Sequence, residues 1–147
     1  MTVVSRKSTN VSLLVRVGPG KHSPMTNHLS LKRAYETPAA SDGRRILIDR
    51  LWPRGLSRKK AAVDEWIKEL APSTELRQWF SHDPAKWQEF RRRYKHELAG
   101  HRELVDKLAR LAAKRRITLV YSARDEKHND AVVLASVLKT RMKNTGK

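Results

Sequence analysis

From Leu29 onward the apolar positions fall into successive, distinct periods. Leu29, Leu31, Arg33 and Tyr35 alternate with Ser30, Lys32 and Ala34, the two-residue period of a half-buried strand over 29–36. After the loop PAASDG, Ile46, Leu47 and Ile48 are consecutive, as in a strand buried on both faces, and the spacing predicts a second strand over 45–51. Pro53 and Gly55 then make a turn of WPRGLS. In AAVDEWIKELAPS the apolar residues Val63, Trp66, Ile67 and Leu70 stand at helical spacing and Pro72 ends the segment, so a short helix is expected, with a strand as the alternative.

The second half of the chain reads more regularly. Ser73 or Thr74 caps a short helix through Phe80, and Asp83 caps the next one with Pro84 at its first position, where a missing N–H costs nothing. Trp87, Phe90, Tyr94 and Leu98 form the buried stripe of that helix, Arg91, Arg92, Arg93 and Lys95 lie mostly off it, and Gly100 closes it. Leu104, Val105, Leu108 and Leu111 repeat the logic over 102–114. ITLVY, 117–121, is a third strand, and Ala131, Leu134, Ala135 and Leu138 stripe a last helix. Strands followed by helices, one more strand and a helix predict a small single α/β domain, with a partly parallel sheet of at least three strands flanked by helices. A strand–helix–strand crossover makes the second and third strands parallel, so their C-terminal ends open on the edge where such sheets bind ligands.

Composition sharpens this picture in three ways. With 147 residues and 39% hydrophobic content, the chain suffices for one domain with a real core. The absence of cysteine excludes disulfides, a thiolate nucleophile and thiolate zinc ligation, which makes the cytoplasm the default expectation. No apolar run approaches the ~20 residues of a membrane span. The formal charge of +17 suits a polyanion partner, but residues 1–28 and 139–147 contain no acid and together carry eight of those charges. We read 139–147 as a basic tail and 1–28 as a mobile basic extension in which only VSLLVRV could make a short strand. The extension's composition also resembles an organellar transit peptide, without a clear amphipathic helix, and Met25 is an alternative start.

Two polar clusters arrive at the expected sheet edge. DRLWPRG supplies Asp49, Arg50, Trp52 and Arg54 after the second strand, and YSARDEKHND supplies Ser122, Arg124, Asp125, His128 and Asn129 after the third. The second cluster opens a helix, whose free N–H groups and dipole favour an anion, with Arg124 as a two-pronged donor and His128 or Asn129 as N-cap. Asp125, Glu126 and Asp130 are also favoured at a helix start simply because they complement its dipole. Asp49 and Arg50 could be an ordinary ion pair and Trp52 a packing aromatic, whereas Pro53 and Gly55 hold Arg54 in a rigid turn.

Several standard chemistries are excluded by spacing. HELAGH sets His96 and His101 five apart, about 140° around a helix, and therefore not on the one face that a zinc-protease signature needs. GPGKHS lacks the phosphate-loop spacing, and no dinucleotide-binding glycine pattern follows a strand. Asp125, Glu126, His128 and Asp130 open a helix as near neighbours and so converge poorly on one ion; no metal site is expected, and the cofactor is left open.

The segments KRAYE…DGRRILIDRLWPRGLSRKKA, WIKELAPSTELRQWFSHDPAKWQEFRRRY and LVYSARDEKHNDAVVL resemble the YeaO-like branch of the domain of unknown function 488 family, over Lys32 to Leu138. The resemblance implies a fold and signature positions at Asp49, Arg50, Trp52, Pro53, Arg54, Gly55, Ala123, Arg124, Asp125 and Asn129, but no reaction, since that largely bacterial family has no established activity. Cysteines frequent in and after the last strand of the wider family are replaced here by Tyr121 and Ser122, so cysteine chemistry does not carry over. The leading expectation is a pocket for an anionic, phosphate-bearing or nucleotide-like ligand, contacted by Asp49, Arg50, Trp52, Arg54, Ser122, Arg124 and Asn129. Asp125 or His128 would be the general base of any hydrolase-type reaction. The competing expectations are a sequence-nonspecific nucleic-acid binder using basic tails and helix faces, and a scaffold presenting Trp79 or Trp87.

Overall fold

A computed structural model of the chain describes residues 29–145, so the expected extension over 1–28 lies outside the described residues. The elements are β1 (Leu29–Arg33), β2 (Arg44–Leu47), α1 (Arg58–Ala61), β3 (Glu65–Trp66), α2 (Thr74–Phe80), α3 (Trp87–Ala99), α4 (Arg102–Lys114), β4 (Ile117–Tyr121) and α5 (Asp130–Thr145). The strands form one sheet in the order β1-β4-β2-β3 with every pair parallel, which makes this a small α/β domain. The expected parallel relation of the two apolar strands is present: Ile46 lies opposite Leu119 and Leu47 opposite Val120.

Alternation along the strands sends side chains to two unlike faces. Leu29, Ile46, Ile117, Leu119 and Tyr121 join the main core with Phe90, Tyr94, Val105, Leu108, Leu134 and Leu138 from α3, α4 and α5. Leu47 and Val120 face the other side, where a smaller cluster with Ala34 is covered by Trp52, Leu56, Val63 and Trp66. The connection from β1 to β2 must pass over β4, and it crosses this second face. There the Thr118 hydroxyl donates to the Asp42 carbonyl at 2.7 Å, and the Asp42 carboxylate accepts from Lys32 at 3.1 Å and Arg45 at 2.7 Å. Burial alone would raise the Asp42 pKa, but bonds from the Ala39 N–H, Lys32 and Arg45 hold it below its ordinary 3.8. Gly43 ends the crossing at φ +65°, and a Cβ there would stand 2.2 Å from the Arg116 carbonyl oxygen, so the close approach of the two chains requires glycine.

The expected helix over 61–71 is not formed. Ala62 takes a left-handed φ of 50°, the Asp64 N–H donates to the Arg45 carbonyl at 2.8 Å, and the Ile67 N–H donates to Leu47 at 2.8 Å. The segment therefore runs as the short edge strand β3, followed by a 3-10 turn over Lys68–Leu70. Its apolar residues serve two surfaces, Val63 and Trp66 the small cluster and Ile67 and Leu70 the main core, which a single helical stripe could not do. β1 and β2 also stop earlier than expected: the Glu36 N–H turns back to the Arg33 carbonyl at 3.1 Å, and the chain leaves the ladder after Leu47. α5 runs on through position 139, where the expected tail begins, to Thr145, and Met142 is buried. Trp79 and Trp87 pack half-buried against the main core, the helical role their spacing suggested. Among the described residues no helix is long and apolar enough to cross a membrane.

Candidate functional site

The C-terminal ends of β2 and β4 are adjacent, and one side chain ties them together. Asp49 Oδ2 accepts from the Ser122 N–H at 2.9 Å and from the Ser122 hydroxyl at 2.8 Å. Arg33, at the end of β1, reaches the same loop, donating Nε to the Ala123 carbonyl at 2.9 Å and Nη2 to the Ser122 carbonyl at 3.2 Å. With three strand ends holding it, the loop after β4 starts from a fixed point. It ends as firmly: Asn129 is the N-cap of α5, its Oδ1 accepting from the Val132 N–H at 3.0 Å while its Nδ2 donates to the Asp125 carbonyl at 2.9 Å.

Between these ends Asp125 organises the turn. One of its oxygens accepts from the Lys127 N–H at 2.9 Å and the His128 N–H at 3.0 Å; the other lies 2.8 Å from His128 Nδ1. The backbone bond from Lys127, then the bond with His128, lowers the Asp125 pKa from 3.8. The imidazole is also braced edge-on by Trp87, with ring centres 5.1 Å apart.

This rim encloses a cavity of about 580 Å³. Its apolar wall includes Ala71, Pro72, Phe80 and Phe90, of which the two phenylalanine rings stack at 4.3 Å. Arg50, Arg77 and Arg124 line it as cations; Arg50 is steadied by the Pro72 carbonyl at 3.4 Å, and the side chains of Arg77 and Arg124 have no bonded partner among the described residues. His82 lines it from the end of α2, where Ser81 and His82 take consecutive left-handed φ values of 46° and 57°. Such a conformation costs a non-glycine residue roughly 1–2 kcal/mol, and here it swings His82 back toward the cavity.

The inner end of the cavity holds two carboxyl groups, Asp49 and the half-buried Asp130, joined by a side-chain hydrogen bond. Burial, then the charge of Asp49 and the bond to it, pushes Asp130 well above 3.8, against the backbone N–H groups of Ala131 and Asp130 itself. The pair thus holds one proton into the range where a lone carboxyl has lost its own. Behind it the fully buried Tyr94 donates to the Leu70 carbonyl at 2.5 Å, and burial together with the charges of Asp130, Asp49 and Glu97 keeps its hydroxyl protonated far above 10.

The structure brings seven of the sequence-selected residues to this cavity: Asp49, Arg50, Ser122, Arg124, Asp125, His128 and Asn129. It does not bring Trp52 or Arg54. Trp52 donates its indole N–H to the Leu56 carbonyl at 2.6 Å and packs against Trp66 on the opposite face of the sheet. Arg54 is exposed, and its backbone carbonyl accepts from the Tyr35 hydroxyl at 2.8 Å. Four contributors escaped sequence reasoning: Arg33, Arg77, His82 and Asp130 in its pairing with Asp49. FSHDP offered one signal, since a helix ending there without glycine must be turned by Ser81 and His82 themselves. Among the described residues, no three His, Cys, Asp or Glu side chains form a group that could hold a metal ion.

The family described as the inactive DUF488-N3 subclade matches residues 28–147. The chain belongs to this family. The uncharacterized protein YeaO of Escherichia coli K12 is 45% identical over 113 residues, 77% of this chain and 98% of its own length. The uncharacterized proteins Rv3073c of Mycobacterium tuberculosis and Mb3100c of Mycobacterium bovis are each 38% identical over 109 residues, 74% of this chain and 92% of theirs. No solved structure matches the chain.

Proposed function

We propose that the cavity binds an anionic small molecule, phosphate-bearing or nucleotide-like, and that the protein acts by binding it. One observation carries the reading: three arginines line a cavity in which the acidic groups are already satisfied. Asp49 and Asp130 are joined by a hydrogen bond that favours one proton between them, and Asp125 is spent on His128 and two backbone N–H groups. An arriving anion therefore meets three guanidinium groups, while Asp49 and Asp125 are already engaged by donors of their own. A volume of about 580 Å³ suits a mononucleotide-sized ligand, the Phe80 and Phe90 wall suits a flat apolar portion, and the acid pair offers a donor and an acceptor to its far end.

Hydrolase-type chemistry fits less well. The Ser122 hydroxyl donates to Asp49 rather than to an imidazole, and Asp125 is held at low basicity. The inactive description of the subclade accords with binding without turnover. The cysteine-free chain and its charge fit a cytosolic setting.

The test is a thermal-shift panel of inorganic phosphate, nucleotides, sugar phosphates and short oligonucleotides at near-physiological salt. A ligand at 100 times its dissociation constant stabilises by about 2.7 kcal/mol. The expected result is a shift from one small anion that is absent in Arg124→Ala, with no phosphate released from the ligand on incubation. Stabilisation by oligonucleotides alone, vanishing as salt is raised, would replace this reading with phosphate-backbone binding to nucleic acid.

A further inference from the structure

A second groove, of about 490 Å³, runs between the sheet edge at β3 and helix α4. Its floor is apolar: Ile67, which follows β3, and Leu104, Leu108 and Leu111 from α4 belong to the main-core side, and Trp66 borders the groove from β3. Its α4 wall carries Lys107, Arg110 and Lys114, exposed and spaced to fall on one helical face. The acids of α4, Asp106 and the exposed Glu103, form no ion pair with them among the described residues. Asp106 is taken by Arg141, and among the described residues the three cations make no ion pair or side-chain hydrogen bond. Across the groove stand Glu65, already paired with Arg44 at 3.4 Å, and the exposed Glu69. β3 itself is the outermost strand, with no strand beyond it among the described residues.

We infer that this groove docks an acidic amphipathic segment of a partner protein, its apolar residues on the aliphatic floor of Ile67, Leu104 and Leu111 and its carboxylates along Lys107, Arg110 and Lys114. Charge complementarity selects this occupant over the alternatives. Residues 1–28 of the same chain carry Arg6, Lys7, Arg16 and Lys21 with no acid, so the α4 wall repels them. A second copy brings another net charge of +17 to the same surface. Single-stranded nucleic acid would need an open aromatic face for its bases, whereas the Trp66 ring already carries Lys68 at 4.2 Å and Arg58 at 5.8 Å and meets Trp52 edge-on at 5.3 Å. An acidic segment needs only the cations and the aliphatic floor, and both are free.

The test pans the full chain against a displayed library of random twelve-residue peptides. Enriched peptides should combine Asp or Glu with large aliphatic or aromatic residues. Their affinity should fall by roughly tenfold or more in Lys107→Gln/Arg110→Gln/Lys114→Gln, since each exposed charge contributes modestly, and should stay unchanged in Arg124→Ala, which probes the other cavity. The thermal midpoint of the triple variant checks its fold, and Arg110→Glu alone serves if that midpoint drops. Enrichment of non-acidic peptides, affinity indifferent to these substitutions, or tighter groove binding by a twelve-residue oligothymidylate would each overturn the proposal.

Discussion

Asp130→Asn isolates the shared proton at the inner end of the cavity. The Asp130 carboxyl is held well above its ordinary 3.8, so between that value and its folded value the native state binds a proton that the unfolded chain has released. Stability from this group is complete below about pH 3.8 and declines as pH rises through the window, by up to about 1.4 kcal/mol per pH unit. Asparagine is nearly isosteric: its Oδ1 can keep the bonds from the Ala131 and residue-130 N–H groups, and its Nδ2 can donate to Asp49 without ever ionising. Wild type and variant should therefore melt together near pH 4 and separate as pH rises, with the variant more stable by several degrees at neutral pH, at roughly 4 °C per kcal/mol for a domain of this size. The assay is circular-dichroism melting from pH 4 to 8.

Above about pH 4.5 no other shifted group blurs this window. Asp42, Glu89 and Asp125 are lowered, Glu89 to about 2, so their contributions are lost only as pH falls below their ordinary values. Tyr94 and Tyr121 are raised from 10, so theirs are lost only as pH climbs beyond it. A variant that tracks wild type across the whole range, or that melts several degrees lower at pH 7.5, would show that Asp130 is ionised in the folded protein and that no proton is shared.

Two further substitutions test the opposite face of the sheet. Gly43→Ala combines a left-handed φ with a Cβ 2.2 Å from a backbone oxygen, and should cost roughly 3 kcal/mol or more, read as a lower urea midpoint with an unchanged slope; a loss under about 1 kcal/mol would mean the β1–β2 crossing can move aside. Asp42→Asn leaves the buried Arg45 guanidinium without its counter-charge and should destabilise by roughly 3 kcal/mol at neutral pH. The same change should remove the stability that wild type has above pH 3.8 and loses in acid as Asp42 protonates, so acid melts that still fall in parallel would speak against the network.

The regular helices and the buried strands were legible because each answers to one surface. Trp87, Phe90, Tyr94 and Leu98 have a single stripe to fill, and ITLVY lies in a strand covered on both sides. The segment over 61–71 misled for the opposite reason. Val63, Trp66, Ile67 and Leu70 satisfy helical spacing, but they were spaced to serve two cores on either side of a sheet edge. Only the tertiary bonds from Asp64 and Ile67 to β2 decide between those uses. Trp52 and Arg54 follow Asp49 and Arg50 closely in the chain, yet the turn through Pro53 carries them over the rim and away from the cavity. The site's main electrostatic feature could not be read locally at all. Asp130 looks like a dipole-complementing residue until Asp49, from the far end of the chain segment, is placed beside it.

That juxtaposition also bears on the proposed binding of an anion in a cavity lined by three carboxyl groups. Two ionised carboxylates in contact would repel each other and any anionic ligand; sharing a proton removes one charge at no loss of hydrogen bonding. Asp49 accepts two hydrogen bonds from Ser122, and Asp125 is engaged by His128. The arginines keep their charge, and two of the three have no side-chain partner of their own among the described residues. The same commitments work against turnover. A hydroxyl already donating to a carboxylate gains no push from a histidine, and a carboxylate saturated by three donors is a poor base. The geometry on which the proposed anion binding rests is therefore also the geometry that leaves its would-be catalytic groups occupied.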